Sequence, residues 1–456
     1  MMSRAARFIL CGVALLAGAP VALAGGYDTP ILYNARHIGM GGTGIAFAND
    51  ASSLFHNPAG IAHVGFASIT ANFSPLIGKI QASPAIDGDA VVNTESDTTF
   101  APFFMVGGTI RATKWLSFGV AAFPVASAGA EFNYRLNSSS QNVFDKTRLS
   151  FIEITPGIAF DLPGNLKIGF GYRIDIVSLQ RQQTRSGATE VKFYDLDLKG
   201  VGYDGFRVGL QWQPIPQLQL GFVYRHKVTA DIKGTEGRLL GQEVGDPKMT
   251  FTLPAKIGFG ARGDLGPVGF AVDVELGLNS QNVNQTVETT QKGPIAVPPI
   301  VNEFRWSDAV TARFGVEYRL DFGMQVRAGY IFDGKTSNEH FPTAFGTPPA
   351  PTHSVTAGLG YRGKLRNMSY EVNLAYAYRT GKTTITSYDL DPYTSIDGSK
   401  AFKTNLPASA NPYNCIPCSK AGDYSINLHG IYVDFSWYWD TLKEEKPAAA
   451  GDPQPN

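Results

Sequence analysis

The sequence predicts an all-β protein, a 14-stranded antiparallel transmembrane β-barrel. Three observations carry the prediction. Runs of residues alternate between apolar and polar with period two, the number of runs is even, and the connections between them alternate between short and long. The residues from Val268 to Leu278 show the alternation without error. Val268, Phe270, Val272, Val274, Leu276 and Leu278 are large and apolar, while Gly269, Ala271, Asp273, Glu275 and Gly277 are small or charged.

The chain opens with Arg4 and Arg7, an apolar stretch from Phe8 to Leu16, and Ala22-Leu23-Ala24 before Gly25. These are the parts of a secretory signal peptide spanning 1–24, cleaved after Ala24. Ile9-Leu10-Cys11 lacks the small residue that a lipoprotein signal places before its cysteine. Cleavage leaves 37 Lys+Arg against 39 Asp+Glu, a balance that excludes a polyanionic partner such as nucleic acid. No later apolar run approaches the roughly 18 residues of a membrane helix, so any crossing is by strands.

The alternating runs fall at about 66–74, 100–112, 115–134, 149–162, 165–182, 199–213, 217–233, 250–264, 267–281, 303–320, 323–335, 353–363, 367–382 and 426–439. The connections begin with a long one at 75–99, then 113–114, then a long one at 135–148, then the tight Pro163-Gly164 turn, and end with the longest at 383–425. Each run approaches or exceeds the ~9–11 residues that cross a bilayer at a tilt. Closure satisfies every backbone donor and acceptor, which hydrocarbon demands. The barrel is expected over 66–439. On the last strand Ile431, Val433, Phe435, Trp437 and Trp439 share one face, the kind of C-terminal strand that barrel-assembly machinery reads, and a polar tail follows at 440–456. Export and a barrel together place the protein among outer-membrane lipids, and a monomer is expected.

Residues 25–65 do not alternate. They carry Asn34-Ala35-Arg36, Gly39-Met40-Gly41-Gly42-Thr43-Gly44, Asn49-Asp50-Ala51-Ser52-Ser53-Leu54-Phe55 and Asn57-Pro58-Ala59-Gly60. This series resembles the FadL/TodX (OmpP1) family of outer-membrane hydrophobic-compound transporters. The resemblance implies that 25–65 is a hatch plugging the lumen, with Asn57, Pro58 and Ala59 contributing to its gate. Gly39, Gly41 and Gly44 also fit the spacing of a dinucleotide fingerprint, but no strand, helix or βαβ context surrounds them. They are read instead as places where the backbone turns tightly in a crowded lumen. No cofactor and no metal are expected.

Pro124 interrupts the third strand and is followed by Val125, Ala126, Ser127, Ala128 and Gly129. Proline cannot donate to a ladder, and small neighbours leave space. From the residues alone this is a bulge or a kink. The resemblance implies a kink opening the wall sideways, so that a hydrophobic molecule captured at the outer loops passes the hatch and leaves into the membrane. The resemblance also places a carboxylate-binding cation late on the fifth strand, where Arg181 stands, with Arg173 a second candidate. Arg173, Arg207, Arg225, Arg313, Arg319, Arg362 and Arg379 face the lumen with Asp175, Asp273, Glu275, Glu317 and Glu371, mostly as ion pairs. The loops at 183–198 and 234–249 are short for a fatty-acid groove, which keeps neutral hydrocarbons and aromatics beside fatty acids as cargo. The stretches 294–300 and 340–345 are apolar and either capture ligand or pack over the mouth. Cys415 and Cys418 read as a local loop disulfide.

Two rival classes remain. A general porin or structural outer-membrane protein would conduct ions and lack a plug. An outer-membrane hydrolase would require a nucleophile beside a base. His56, His63, His226, His340, His353 and His429 show no evident serine partner in the sequence.

Overall fold

The computed structural model describes residues 33–87, 90–136, 139–338, 348–366, 368–385 and 422–439. The signal peptide at 1–24, residues 25–32, the apolar stretch 340–345, Cys415 and Cys418, and the tail at 440–456 lie outside the described residues.

One sheet closes on itself. Its strands are β1 Ala67–Asp87, β2 Thr99–Arg111, β3 Leu116–Arg135, β4 Asn142–Leu162, β5 Leu166–Ser186 and β6 Glu190–Ile215. Four strands then run in two pieces each: β7 Leu218–Arg225 with Val228–Lys233, β8 Gln242–Leu253 with Lys256–Leu265, β9 Val268–Gly277 with Asn284–Gln291, and β10 Ile300–Glu303 with Ala309–Arg319. The circuit ends with β11 Met324–Asp333, β12 Thr352–Leu365, β13 Met368–Ile385 and β14 Gly422–Trp439. Two short arms, Ala90–Glu95 against β1 and Glu236–Leu239 against β8, extend hairpins beyond the barrel. Ala67 pairs with Trp439 on one side and Ile110 on the other, so no edge is left open among these antiparallel neighbours.

All fourteen expected strands are present, and their short-turn ends fall within a residue or two of the expected ones. The loop ends do not. β4 begins at Asn142 rather than 149, β6 at Glu190 rather than 199, and β1 runs to Asp87 rather than 74. The loop expected at 183–198 is therefore the tip 187–189, and the loop at 234–249 is largely the Glu236–Leu239 hairpin. The cause is physical: above the hydrocarbon the outward face no longer has to be apolar, so the alternation fades while ladder hydrogen bonds continue.

The outward face is apolar and exposed, as at Ile69, Phe104, Phe170, Phe259, Phe314 and Val433. Arg173, Arg207, Asp273, Glu317 and Glu371 are buried on the inward face. This inverts a soluble sandwich, whose exposed face is polar, and suits a barrel set in lipid.

Candidate functional site

The N-terminal segment forms three short helical turns, α1 Ala35–Gly39, α2 Ser53–His56 and the 3-10 helix η1 Pro58–His63. It touches the inward face of the barrel from β2 round to β14. Cβ positions built on Gly119, Gly157, Gly169, Gly209 and Gly221 would meet Leu54, Leu54, Pro58, Asn57 and Ile45, and one on Gly315 would meet Met40. On the far side the Ala35 amide donates to Asp434 Oδ2 at 2.5 Å. A segment touching the whole circuit of a closed wall lies inside it.

Small wall residues let backbone approach backbone, and carboxylates then satisfy the donors. Asp273 Oδ2 accepts the Gly44 and Ile45 amides at 2.7 and 3.1 Å, and Asp434 Oδ1 accepts Asn373 Nδ2 at 2.7 Å. Asn57 is the hub of the other half. Its Oδ1 accepts the Ala59 amide at 3.2 Å, holding the turn into η1, where Pro58 needs no donor. Its Nδ2 faces the carbonyls of Ile45, Leu210 and Phe222 at 2.7, 3.0 and 3.2 Å, tying the segment to β6 and β7. Gly41 has φ +66°, and a side chain there would strike the Phe314 carbonyl. Gly39 packs against Gly358 and Arg327, and Gly44 against the rings of His37 and His56.

Those two imidazoles lie 4.5 Å apart. Burial, with the Arg36 cation adding to it, pushes His37 down to about 3. Burial and the neighbouring His37 also hold His56 well below its ordinary value. In the undocked segment both would take up protons below about pH 6.5. Docking therefore keeps its full strength above that value and weakens as the pH falls towards the depressed values. Acidification from about pH 7 to about pH 5 should speed hydrogen exchange of residues 33–65 relative to the strands. Equal, pH-corrected exchange at both values would contradict this.

Beside this segment the wall is interrupted between β2 and β3. The β2–β3 ladder runs from Arg111 opposite Ser117 to Val106 opposite Ala122 and stops. The two chains next meet where the Asp97 amide donates to the Glu131 carbonyl at 2.8 Å. Between these points β3 pairs only with β4, and its register there shifts between Pro124 and Ala126, leaving Val125 as a bulge residue. The extra residue flips the alternation. Ala121 and Phe123 below it and Ala126, Ala130 and Phe132 above it are all buried, while Ser127 and Gly129 fall on the opposite face and are half-buried. The Pro124 carbonyl accepts the Tyr33 hydroxyl at 2.7 Å, and the Tyr33 ring packs on Phe55 and Phe123. The N-terminal segment thus touches the bulge itself.

An apolar cluster spreads inward from the interruption. Phe103, Met105, Phe123, Val125 and Ala126 join Leu149, Phe151, Val177, Leu198, Ile232 and Phe251 on β4 to β8. Val297 and Ile300, from the apolar stretch 294–300, pack against it. The predicted cations are held by carboxylates. Arg173 is buried among Glu153 at 2.5 Å, Asp175 at 3.4 Å and the His226 carbonyl at 2.7 Å. Arg181 is bonded to Asp145 and lies over the Tyr194 ring. Elsewhere Glu153 also holds Arg207, and Arg327 bridges Glu317 and Glu371. Arg319 and Arg362 are more exposed and pair with Asp264 and Glu371.

Sequence reading missed Tyr33, Asp273 and Asp434 as anchors and the wall glycines as docking sites. A signal was present for the glycines, which recur on the polar face of successive strands. Nothing in the sequence distinguished Asp434 from other inward acids. The described histidines outside the N-terminal segment, His226, His353 and His429, face outward, each bonded to a tyrosine hydroxyl.

A closed barrel with an apolar outer belt and a charged, filled interior defines an outer-membrane β-barrel. The pattern of the family described as outer membrane protein transport protein (OMPP1/FadL/TodX) matches residues 15–413, and the chain belongs to that family. Among solved structures it is similar to a Pseudomonas aeruginosa FadL homologue, with TM-score 0.68 and 13% identity over 92% of this chain and 100% of that one. The P. putida toluene transporter TodX gives TM-score 0.61 and 15% identity over 90% and 99% of the two chains. The Ralstonia pickettii toluene transporter TbuX gives 0.60 and 15% over 90% and 98%. These TM-scores establish a shared fold. A search of curated proteins gives no match.

Proposed function

We propose that the protein is a passive channel, not an enzyme, that admits hydrophobic small molecules and releases them sideways into the membrane between β2 and β3, with 25–65 as its hatch. One observation carries the reading: the apolar cluster of the interior is continuous with the stretch where the β2–β3 ladder is interrupted. A greasy molecule gains nothing from release into water, whereas a path lined by Phe103, Phe123 and Ala126 keeps it dry to the bilayer.

The cargo is uncharged in this reading. A carboxylate brought into the cluster would require a cation to replace its water. Arg173 and Arg181 are already committed to Glu153, Asp175 and Asp145. Of the two, Arg181 is the residue nearer the mouth and the better candidate to help an acid. Aqueous porin behaviour is disfavoured by the segment filling the lumen.

The test is expression in a bacterium lacking its own hydrophobic-compound channel, followed by uptake of labelled toluene and labelled oleate. Toluene uptake above the empty control, exceeding any gain for oleate, is expected. Uptake of neither would overturn the channel, and oleate alone would overturn the cargo class.

A further inference from the structure

A row of lysines crosses three neighbouring strands on the outer wall. Lys199 of β6 stands directly opposite Lys233 of β7, and Lys233 stands opposite Lys248 of β8. All three are exposed. Like charges facing one another across a ladder repel.

Three carboxylates stand near the row. Lys199 reaches Asp197 at 3.6 Å and Lys248 reaches Glu288 at 2.9 Å. Asp231, beside Lys233, accepts the Thr250 hydroxyl at 2.6 Å. Lys233 has no ion-pair partner among the described residues. Exposed pairs of this kind bind weakly, and each ammonium keeps donors to spare.

Position decides what the row faces. On β5 the outward side chains run through Phe170, Tyr172, Ile174 and Ile176, and the apolar belt ends at Ser178, which pairs with Lys199. On β7 it ends at Tyr224 and His226, below Thr229, Asp231 and Lys233. The row is on the long-loop side, so it stands where the headgroups of the outer leaflet begin.

We infer that Lys199, Lys233 and Lys248 form a binding site for the phosphorylated headgroup of an outer-leaflet lipid. A phosphate between the ammonium groups accepts from all three and removes their mutual repulsion. The site rests on the outer-membrane location and not on the transport reading, because it lies outside the lumen and away from the β2–β3 interruption.

The full barrel is placed in nanodiscs containing lipid A with its phosphates or the same lipid dephosphorylated, and its melting midpoint is measured. The expected result is a midpoint several degrees higher with phosphorylated lipid, lost in the K199Q/K233Q/K248Q variant and retained in K382Q, an exposed lysine on β13. Inorganic phosphate added to dephosphorylated discs should give no shift at matched ionic strength. The site is overturned if the triple variant keeps the difference, if the wild-type chain shows none, or if inorganic phosphate reproduces it. Cargo uptake by the triple variant should equal wild type, so this failure and failure of the channel reading are distinguishable.

Discussion

Replacing Gly329 with valine should turn a closed barrel into an open conductor. A Cβ at this position would sit 2.0 Å from the Gly41 amide nitrogen and 2.5 Å from its Cα. Both partners are backbone, so no side chain can swing away. Gly41 cannot retreat within the segment either, because it is held in a left-handed conformation against Phe314 and Tyr330. β11 is laddered to β10 and β12 along its whole length, which leaves the N-terminal segment as the part that must move. Single-channel recordings in planar bilayers should show conductance steps in Gly329→Val that are small or absent in the wild-type protein. Gly187→Ala, at a hairpin tip where the nearest atom is an ordinary 3.4 Å away, should leave conductance unchanged. An assembled Gly329→Val barrel as silent as wild type would show that the segment does not occlude the lumen.

Arginine at Ser127 should stop uptake while leaving the barrel assembled. Ser127 lies within the stretch where β3 has no β2 partner, on the face opposite the buried Ala126. Its hydroxyl makes a single bond, to the Leu149 carbonyl at 3.1 Å. A guanidinium held at membrane depth costs about 2.5–3.5 kcal/mol on insertion scales, and it draws water into the exit path. An added barrier of only ~1.4 kcal/mol reduces flux about tenfold. Toluene uptake should therefore fall at least about tenfold, with the ion conductance unaltered. Ala126→Arg should act in the same direction but with loss of stability, because it buries the charge in the apolar cluster. Unchanged uptake by assembled Ser127→Arg would exclude this route.

The barrel was legible because its physics is local. One face of each strand must suit lipid, so period two marks every crossing, and the short turns at Pro163-Gly164 and Gly266-Pro267 fix where crossings end. The strand tops were not legible, because beyond the hydrocarbon nothing constrains the outward residues while the ladder continues. The interior was partly legible. Asn57-Pro58-Ala59 stood out as a motif, but the role of Asn57 depends on the carbonyls of Leu210 and Phe222, some 150 residues away, which only the closed sheet brings near. The same holds for Asp434, whose partners are Ala35 and Asn373. Arg173 looked like a ligand contact on its strand. Its neighbour Asp175 stands two residues along the same strand, but Glu153 faces it from β4, and that pairing is invisible until register is known.

The most direct test of lateral passage follows the cargo itself. A photoreactive, uncharged aromatic hydrocarbon, supplied to cells that carry this protein as their sole hydrophobic-compound channel and then illuminated, should label residues along the path. Adducts concentrated on Phe103 to Val106 and Phe123 to Gly129, and lost in Ser127→Arg, are the predicted result. Adducts running instead down the N-terminal segment to the periplasmic turns, with β2 and β3 unlabelled, would contradict it.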